Sequence, residues 1–278
     1  VINLQPGALA VTVQYFDALG SLKGQVGTSI AANLKTDFII NDLGLQPDTI
    51  GTVCVKTNAG GTGAWSGGIS IYKPNTRNGN PAFGTSFDFA LYYPFQNAST
   101  GATTTPLNTF HLGTSPAALV ANWISIIDAA RGDGNGVVGS LQVFNSAGAL
   151  TKTLAVNIPD GGRADFPAHE ALAGIQNSDA IGLAQFNPSN GASYYMSLTR
   201  YFYDCPGASC TNFLAAFNIP RRPGSTQTLS GGVSTKDGEI AVIELNNVTT
   251  NPASAAVNVF AAGGASAGQT SVPVAARG

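Results

Sequence analysis

The amino-acid sequence predicts an all-β protein built from tandem β-sandwich domains. Three observations predict this fold class: a composition rich in turn formers, short runs of β-forming residues, and an internal repeat. The 278 residues include 34 Gly and 15 Pro, and 44% of the residues are hydrophobic. Such a chain is too apolar for a disordered polymer, and its Val, Ile, Phe and Tyr residues come in short runs between turn residues.

Charged side chains are scarce. Lys and Arg contribute 13 residues, Asp and Glu contribute 15, and charged residues make up 10% of the chain, whereas soluble domains average about 25%. Nucleic-acid binding needs clustered Lys and Arg, and the sequence has no such cluster, so nucleic acid is excluded as a partner. Glu occurs only at Glu170, Glu239 and Glu244, which excludes a coiled-coil protein.

An internal repeat is the strongest signal in the sequence. Residues 11–20, 139–148 and 255–264 share one pattern, in which a strand-like run ends in Phe and a Gly follows four residues later. The phenylalanines are Phe16, Phe144 and Phe260, which lie 128 residues (144 − 16) and 116 residues (260 − 144) apart. We expect each copy to begin a β-hairpin.

Further matches extend the repeat beyond the hairpin. Residues 35–38 match residues 163–166, and sequence matching places Arg277 at the corresponding position of the third copy. Before the hairpin, residues 1–4 match residues 242–245. The predicted units are a first repeat over 1–119, a second repeat over 120–238 and a partial third repeat over 239–278.

Within each unit, short runs of β-formers alternate with turn residues, an arrangement typical of immunoglobulin-like β-sandwiches. The buried Trp between two cysteines of antibody domains is missing. The sequence therefore predicts tandem immunoglobulin-like β-sandwich domains with a partial third repeat. Because the opening third of a repeat cannot build a sandwich alone, either it folds back onto the second unit, or its open edges pair with a neighbouring chain, or the chain is one stretch of a longer array.

The second repeat carries a recognisable order of motifs. They are a Trp-containing strand over residues 122–127, a Phe-x-x-x-Gly hairpin from Phe144 to Gly148, residues 158–165, and Pro167-Ala168-His169. This order resembles the repeats of large bacterial secreted or cell-surface proteins with tandem β-sandwich domains. The resemblance implies a surface-fibre or adhesin-like role and transfers no catalytic residue. The first repeat lacks the Pro-Ala-His tripeptide, so the fold does not require it.

Because the third repeat is partial, we expect the function of the protein to lie in assembly. We expect strands at both ends of the chain to pair with another copy of the protein, as a homopolymer, or with neighbouring repeats of a longer chain. The expected contact residues are Val1, Ile2, Leu4, Val257, Val259, Phe260, Val272 and Val274. Because head-to-tail contacts that do not close give an open polymer, the predicted function is a structural subunit of an extracellular filament, sheath or surface layer.

The alternative function is a monomeric cell-surface adhesin or carbohydrate-binding module. Its candidate ligand loop contains Asp128, Arg131, Asp133 and Asn135. The loop is rich in oxygen ligands for calcium but lacks the bidentate Glu of a calcium loop, so a turn is the simpler explanation. It also contains the Arg-Gly-Asp tripeptide that some integrins bind. Tyr-rich strands would suit a glycan, although such residues more often pack a sheet.

No catalytic centre or cofactor is predicted, and the protein is expected not to be an enzyme. The sequence has only two histidines, His111 and His169, and it has no Gly-x-Ser-x-Gly elbow. A catalytic triad or a metal site is therefore not expected. A secreted hydrolase that depends on His169 is the third alternative.

Cysteine usage and low charge favour an extracellular or cell-surface location. Cys205 and Cys210 close a short loop and are expected to form a disulfide, whereas Cys54 is expected to be a small buried hydrophobe. Asn97 and Asn247 begin N-glycosylation sequons. Residues 1–30 lack the basic start and apolar run of a signal peptide, and no stretch of about 18 apolar residues predicts a membrane span.

Overall fold

A computed structural model describes residues 1–45, 49–58, 64–74, 87–109, 118–173, 180–204, 212–221, 225, 231–234, 236 and 241–278. Antiparallel strands dominate these ranges, and the only α-helix within them is α1 (Ala168–Ala173). The all-β fold class predicted from the sequence is therefore confirmed. No helix in the described ranges has the length and apolar character needed to cross a lipid bilayer.

The strands follow the sequence repeat. The first repeat contains β1 (Ile2–Asn3), β2 (Leu9–Asp17), β3 (Leu22–Ile30), a 3-10 helix (Ile40–Leu43), β4 (Gly51–Thr57), β5 (Trp65–Ser66), β6 (Gly68–Pro74) and β7 (Phe87–Pro94). Then come β8 (Thr103–Asn108), β9 (Ala118–Asp128), β10 (Val137–Asn145), β11 (Leu150–Ile158), β12 (Arg163–Pro167), β13 (Ile181–Pro188), β14 (Tyr194–Asp204) and β15 (Asn212–Pro220). The third repeat contributes β16 (Ala253–Phe260) and β17 (Ser266–Val274).

Two four-stranded sheets form a complete β-sandwich in the middle of the chain. One sheet has the strand order β11-β10-β13-β8 and the other has the order β12-β9-β14-β15. Their inner faces share one hydrophobic core, in which Leu141 and Phe186 of the first sheet meet Ile124 and Met196 of the second. Alternate residues of each strand point into this core, as expected for packed sheets. The immunoglobulin-like character of the repeats stays a prediction.

The helix α1 closes the sandwich at one end. It packs on β9, β10, β11 and β8. Ala168 is fully buried and His169 is 6% exposed. Small side chains on the inner side of the helix let it approach the sheets closely.

The strand β8 joins the sandwich from the N-terminal side of the predicted boundary at residue 120. It pairs with β13 from Asn108 opposite Ile181 to Thr103 opposite Phe186. Leu107 on this strand is fully buried in the shared core. The complete sandwich therefore uses strands from both sides of the sequence-repeat boundary.

The first repeat builds a smaller version of the same arrangement. Its main sheet has the order β3-β2-β4, and Leu9, Val11 and Val13 of β2 are buried against Trp65 and other residues of the first repeat. Among the described residues, no strand pairs with the outer edge of β4, where β8 would lie in the second repeat.

The third repeat consists of one hairpin. β16 and β17 form a two-stranded sheet to which no further described strand is paired.

Candidate functional site: the contacts between repeats

The three long hairpins end in the same tip, which we define as residues 16–21, 144–149 and 260–265. In each tip the strand register shifts at the phenylalanine. The glycine that follows is left-handed, with φ of 85° at Gly20, 77° at Gly148 and 83° at Gly264. This combination is typical of a hairpin with a glycine bulge. The hairpins predicted from the Phe-x-x-x-Gly pattern are therefore confirmed.

Each repeat also contains a receiving turn, which we define as residues 31–35, 159–163 and 275–278. A hydrogen bond closes each turn, and its donors are the backbone N–H groups of Leu34, Gly162 and Gly278. The residue before each donor is left-handed: φ is 58° at Asn33, 69° at Gly161 and 55° at Arg277.

This backbone equivalence corrects the sequence matching of Arg277. Arg277 corresponds to the left-handed Gly161 and not to Arg163. The sequence comparison aligned the two arginines because side-chain identity was its only guide. The three turns share a left-handed backbone conformation, which Asn33, Gly161 and Arg277 all adopt.

The first tip packs against the second receiving turn. The backbone N–H of Arg163 donates to Ala18 O over 2.9 Å, and its Nη1 donates to Gly51 O over 3.0 Å. A Cβ atom on Gly20 would lie 2.2 Å from the carbonyl oxygen of Asp160, so this contact requires glycine. The junction thus combines backbone hydrogen bonds with close packing that only glycine permits.

The second tip packs against the third receiving turn in the same way. A Cβ atom on Gly148 would lie 1.8 Å from Ala276 O, the counterpart of the Gly20 contact. The side chain of Asn246 donates from Nδ2 to Gly182 O over 3.0 Å. Gly182 matches Gly51 in the repeat, so at both junctions a side-chain N–H donates to the equivalent backbone carbonyl.

An arginine covers the tip phenylalanine at both junctions. The guanidinium carbon of Arg131 lies 4.1 Å from the centroid of the Phe16 ring, and that of Arg277 lies 5.1 Å from the Phe144 ring. A cation over an aromatic face adds an electrostatic attraction to the apolar contact. The two arginines occupy different places in the repeat, so sequence matching could not pair them.

The third repeat leaves apolar positions open that the second repeat buries. Val257 and Val259 match Leu141 and Val143, which are fully buried, whereas Val259 is 40% exposed. The predicted contact residues Val272 and Val274 are half-buried, and they line a cleft beside residues 181–182 of the second repeat.

The open edge of β16 can be assigned from proline. Pro273 lies opposite Ser254 in the hairpin, and proline has no N–H for the ladder, so this is a pair without mutual hydrogen bonds. By alternation, the backbone groups of Ser254, Ala256 and Asn258 point away from β17. In the second repeat the matching Val138 O accepts a bond from Ser189 N, just beyond β13. This edge of β16, with which no described strand pairs, is therefore the side on which a β13-like strand would lie.

The other predicted assembly segment, residues 1–4, is already paired within the chain. β1 pairs with β5 on one side and Ile2 bridges to Lys35 on the other. The Val1 amino group donates to Thr36 O, and the Leu4 N–H donates to Ala64 O. The expectation of a free strand here is corrected, because both edges of the strand are occupied.

One ion pair that the sequence did not reveal ties the start of the third repeat to the sandwich. The Arg200 guanidinium, 5% exposed, donates to both carboxylate oxygens of Glu244 over 2.6 and 3.1 Å. Asn108 Nδ2 also donates to this carboxylate over 2.7 Å. Burial alone would raise the pKa of Glu244, but the bonds and charge of Arg200 outweigh it and hold the pKa below its ordinary value.

Three buried side chains cap the loop that precedes each hairpin. Asn3, Asp128 and Asn247 each accept, through Oδ1, the backbone N–H two residues further on. Their exposures are 0%, 0% and 7%. This local turn gives each buried side-chain oxygen a backbone partner and explains the short polar residue at each position.

The candidate ligand loop is organised by backbone contacts. Asp128 accepts the N–H of Gly161 over 2.6 Å, and burial raises the pKa of its carboxyl despite this bond. Asp133 accepts the N–H of Asn135 over 2.8 Å, and both residues are exposed. With Arg131 packed on Phe16, the loop does not present its four candidate side chains together. In the described ranges no group of three or more His, Cys, Asp or Glu side chains is placed to hold a metal ion.

The remaining candidate residues are partly or fully buried, or lie outside the described residues. His169 Nδ1 lies 3.1 Å from Asn122 O, and burial lowers the pKa of its imidazole. Cys54 is a free, half-buried thiol. The expected Cys205–Cys210 disulfide and His111 lie outside the described residues.

A scan against protein-family models found no match, and a search of curated protein sequences found no relative of this chain.

Proposed function

We propose that this protein is a structural subunit of an extracellular filament, sheath or surface layer, and that its subunits assemble through strand and edge contacts between β-sandwich repeats. The observation that carries the proposal is the open apolar face of the third hairpin. Val259 is 40% exposed, whereas its counterparts Tyr15 and Val143 are 4% and 0% exposed. A hairpin with one apolar face open to water gains stability by covering that face.

The edge of β16 supplies direction to this assembly. Its outward N–H and C=O groups offer a template on which an extended strand can pair. The inner valines then contact the side chains of the added strand. Because the edge and the surface that pairs with it are different, the contact is heterologous, and it extends into a filament where the rotation between copies does not close a ring.

Few charges and an abundance of Ser, Thr and Asn are consistent with this function. Charged residues make up 10% of the chain, so electrostatic repulsion between neighbouring copies is weak. Close lateral packing in a surface layer is compatible with such a surface.

Electron microscopy and light scattering of the 278-residue chain test the proposal. The wild-type protein is expected to form ordered polymers without added ligand. Ala256→Pro, which removes an outward N–H but no hydrogen bond to β17, is expected to reduce polymer formation. Ala256→Val retains the N–H and is the matched control. A wild-type chain that stays monomeric at every concentration contradicts the proposal, and retention of glycans by that monomer favours a binding module instead.

A further inference from the structure

The strongest unassigned surface in the molecule is the third hairpin tip. Phe16 and Phe144 are 9% and 3% exposed. Arg131 covers the first ring, and Arg277 of the third receiving turn covers the second. Phe260, in contrast, is 61% exposed. Gly264 has the left-handed φ of Gly20 and Gly148. Among the described residues, however, no atom beyond its own chain neighbours lies within 4 Å of the position its Cβ would take. The third tip therefore has the form of the other two tips without their contacts.

The first receiving turn is the complementary uncovered surface. Gly161, Gly162 and Gly278 are buried in the occupied turns, whereas Asn33 and Leu34 are exposed. Leu34 is an apolar side chain with 57% of its surface in water. The turn nevertheless has the same closing hydrogen bond and the same left-handed residue as the occupied turns.

A backbone donor is also available in this turn. In the second repeat the N–H of Arg163 donates to Ala18 O of the incoming tip. Lys35 matches Arg163, and its N–H has no acceptor among the described residues. The matching acceptor on the third tip is Ala262 O, since residue 262 follows Phe260 as residue 18 follows Phe16.

We propose that the third hairpin tip of one copy docks on the first receiving turn of a second copy. The contact repeats, between molecules, the tip-to-turn junction that joins successive repeats within the chain. This inference rests on the assembly function proposed above and specifies its end-to-end contact. Within residues 1–278 each copy carries one uncovered tip and one uncovered turn, so the contact is heterologous and polar, and it gives an open chain if the rotation between copies does not close a ring.

Two differences make the contact between molecules weaker than the internal junctions. Leu34 stands where the occupied turns have Gly162 and Gly278. A Cβ atom would lie 3.0 Å from Ala18 O if placed on Gly162 and 2.5 Å from Ser146 O if placed on Gly278, so the tip must move outward to admit leucine. The arginine that covers the tip phenylalanine is also missing: Asn33 stands in place of Arg277, and residues 5–7, in place of the Arg131 loop, contain no arginine.

A complementation experiment tests the contact apart from edge pairing. All proteins carry Ala256→Pro, which removes an outward N–H from the edge of β16. Phe260→Asp disables the tip and leaves the turn intact, whereas Leu34→Arg disables the turn and leaves the tip intact. Both side chains are more than half exposed, so both variants are expected to fold, which circular dichroism verifies.

Analytical ultracentrifugation then gives distinct outcomes. The Ala256→Pro parent is expected to form end-to-end oligomers and each further variant to stay monomeric. An equimolar mixture is expected to form dimers with one copy of each variant and to stop there. Leu34→Gly is expected to strengthen association of the parent. A mixture that stays monomeric while the parent associates overturns the inference, and so does a parent that stays monomeric. If the wild-type chain still polymerises in either case, the proposed function stands.

Discussion

Arg200 and Glu244 form a two-point ion pair that fastens the first segment of the third repeat to the complete sandwich, with N–O distances of 2.6 and 3.1 Å. Only 5% of the Arg200 side chain is exposed. A guanidinium buried to this extent depends on its carboxylate partner, because water cannot replace the lost bonds.

Removal of the carboxylate is expected to destabilise the protein. Glu244→Ala leaves Arg200 buried without its partner and is expected to lower the free energy of unfolding by about 3 kcal/mol, at the low end for broken buried pairs since Glu244 is partly exposed. Urea unfolding measures the change. Glu244→Gln keeps the shape of the side chain and one acceptor oxygen, so it is expected to lower the free energy of unfolding by less. Equal costs for both variants would contradict the assignment.

The same pair predicts a dependence on acid. Arg200 holds the pKa of Glu244 below its ordinary value of about 4.5. For a carboxyl whose pKa is lowered by folding, the stabilisation is present above pH 4.5 and is lost as the pH falls through the lower folded pKa. The stability difference between wild type and Glu244→Gln is therefore expected to shrink below pH 4.5. Urea unfolding at a series of pH values checks this, and a constant difference would count against it.

The two glycosylation sequons are expected to behave differently. Asn247 is 7% exposed, and its Nδ2, the atom that would carry a glycan, donates to Asn251 O over 2.6 Å. Asn97 is exposed. In folded protein secreted from a glycosylating host, peptide mass spectrometry is expected to find glycan only at Asn97. Glycan on Asn247 in folded protein would show that the buried cap is wrong.

Gly148 and Gly264 have the same backbone conformation, so substitutions at the two positions distinguish the cost of backbone strain from the cost of lost packing at the junction. Both Gly148 and Gly264 are left-handed, but only Gly148 faces a neighbouring carbonyl, that of Ala276. Gly264→Ala is expected to cost roughly 1 kcal/mol from backbone strain. Gly148→Ala is expected to lower the free energy of unfolding clearly more than Gly264→Ala, because it also forces the third repeat away from the second tip. Urea unfolding compares the two, and equal costs would mean that the junction adds nothing to stability.

The hairpins were predictable from sequence because their signal is local. A Phe, a turn and a left-handed glycine recur at fixed spacing, and backbone sterics convert this pattern into one shape. The all-β class followed from composition and strand-like runs for a similar reason.

The junctions were not predictable because they join residues far apart in the chain. Arg131 and Arg277 cover equivalent phenylalanines from different loops, and Glu244 reaches Arg200 across 44 residues. The free strand expected at residues 1–4 also failed, because its pairing with β5 and Lys35 depends on tertiary contacts. Such contacts leave no periodic trace in the sequence.

The crossing of β8 into the second sandwich bears on how fragments of this protein behave. A recombinant piece that starts at residue 120 lacks β8, so the space of Leu107 is vacant and the edge of β13 is bare. Vacant core volume lowers stability, and a bare edge invites aggregation. A piece that starts upstream of Thr103 retains the strand and is the one expected to remain in solution.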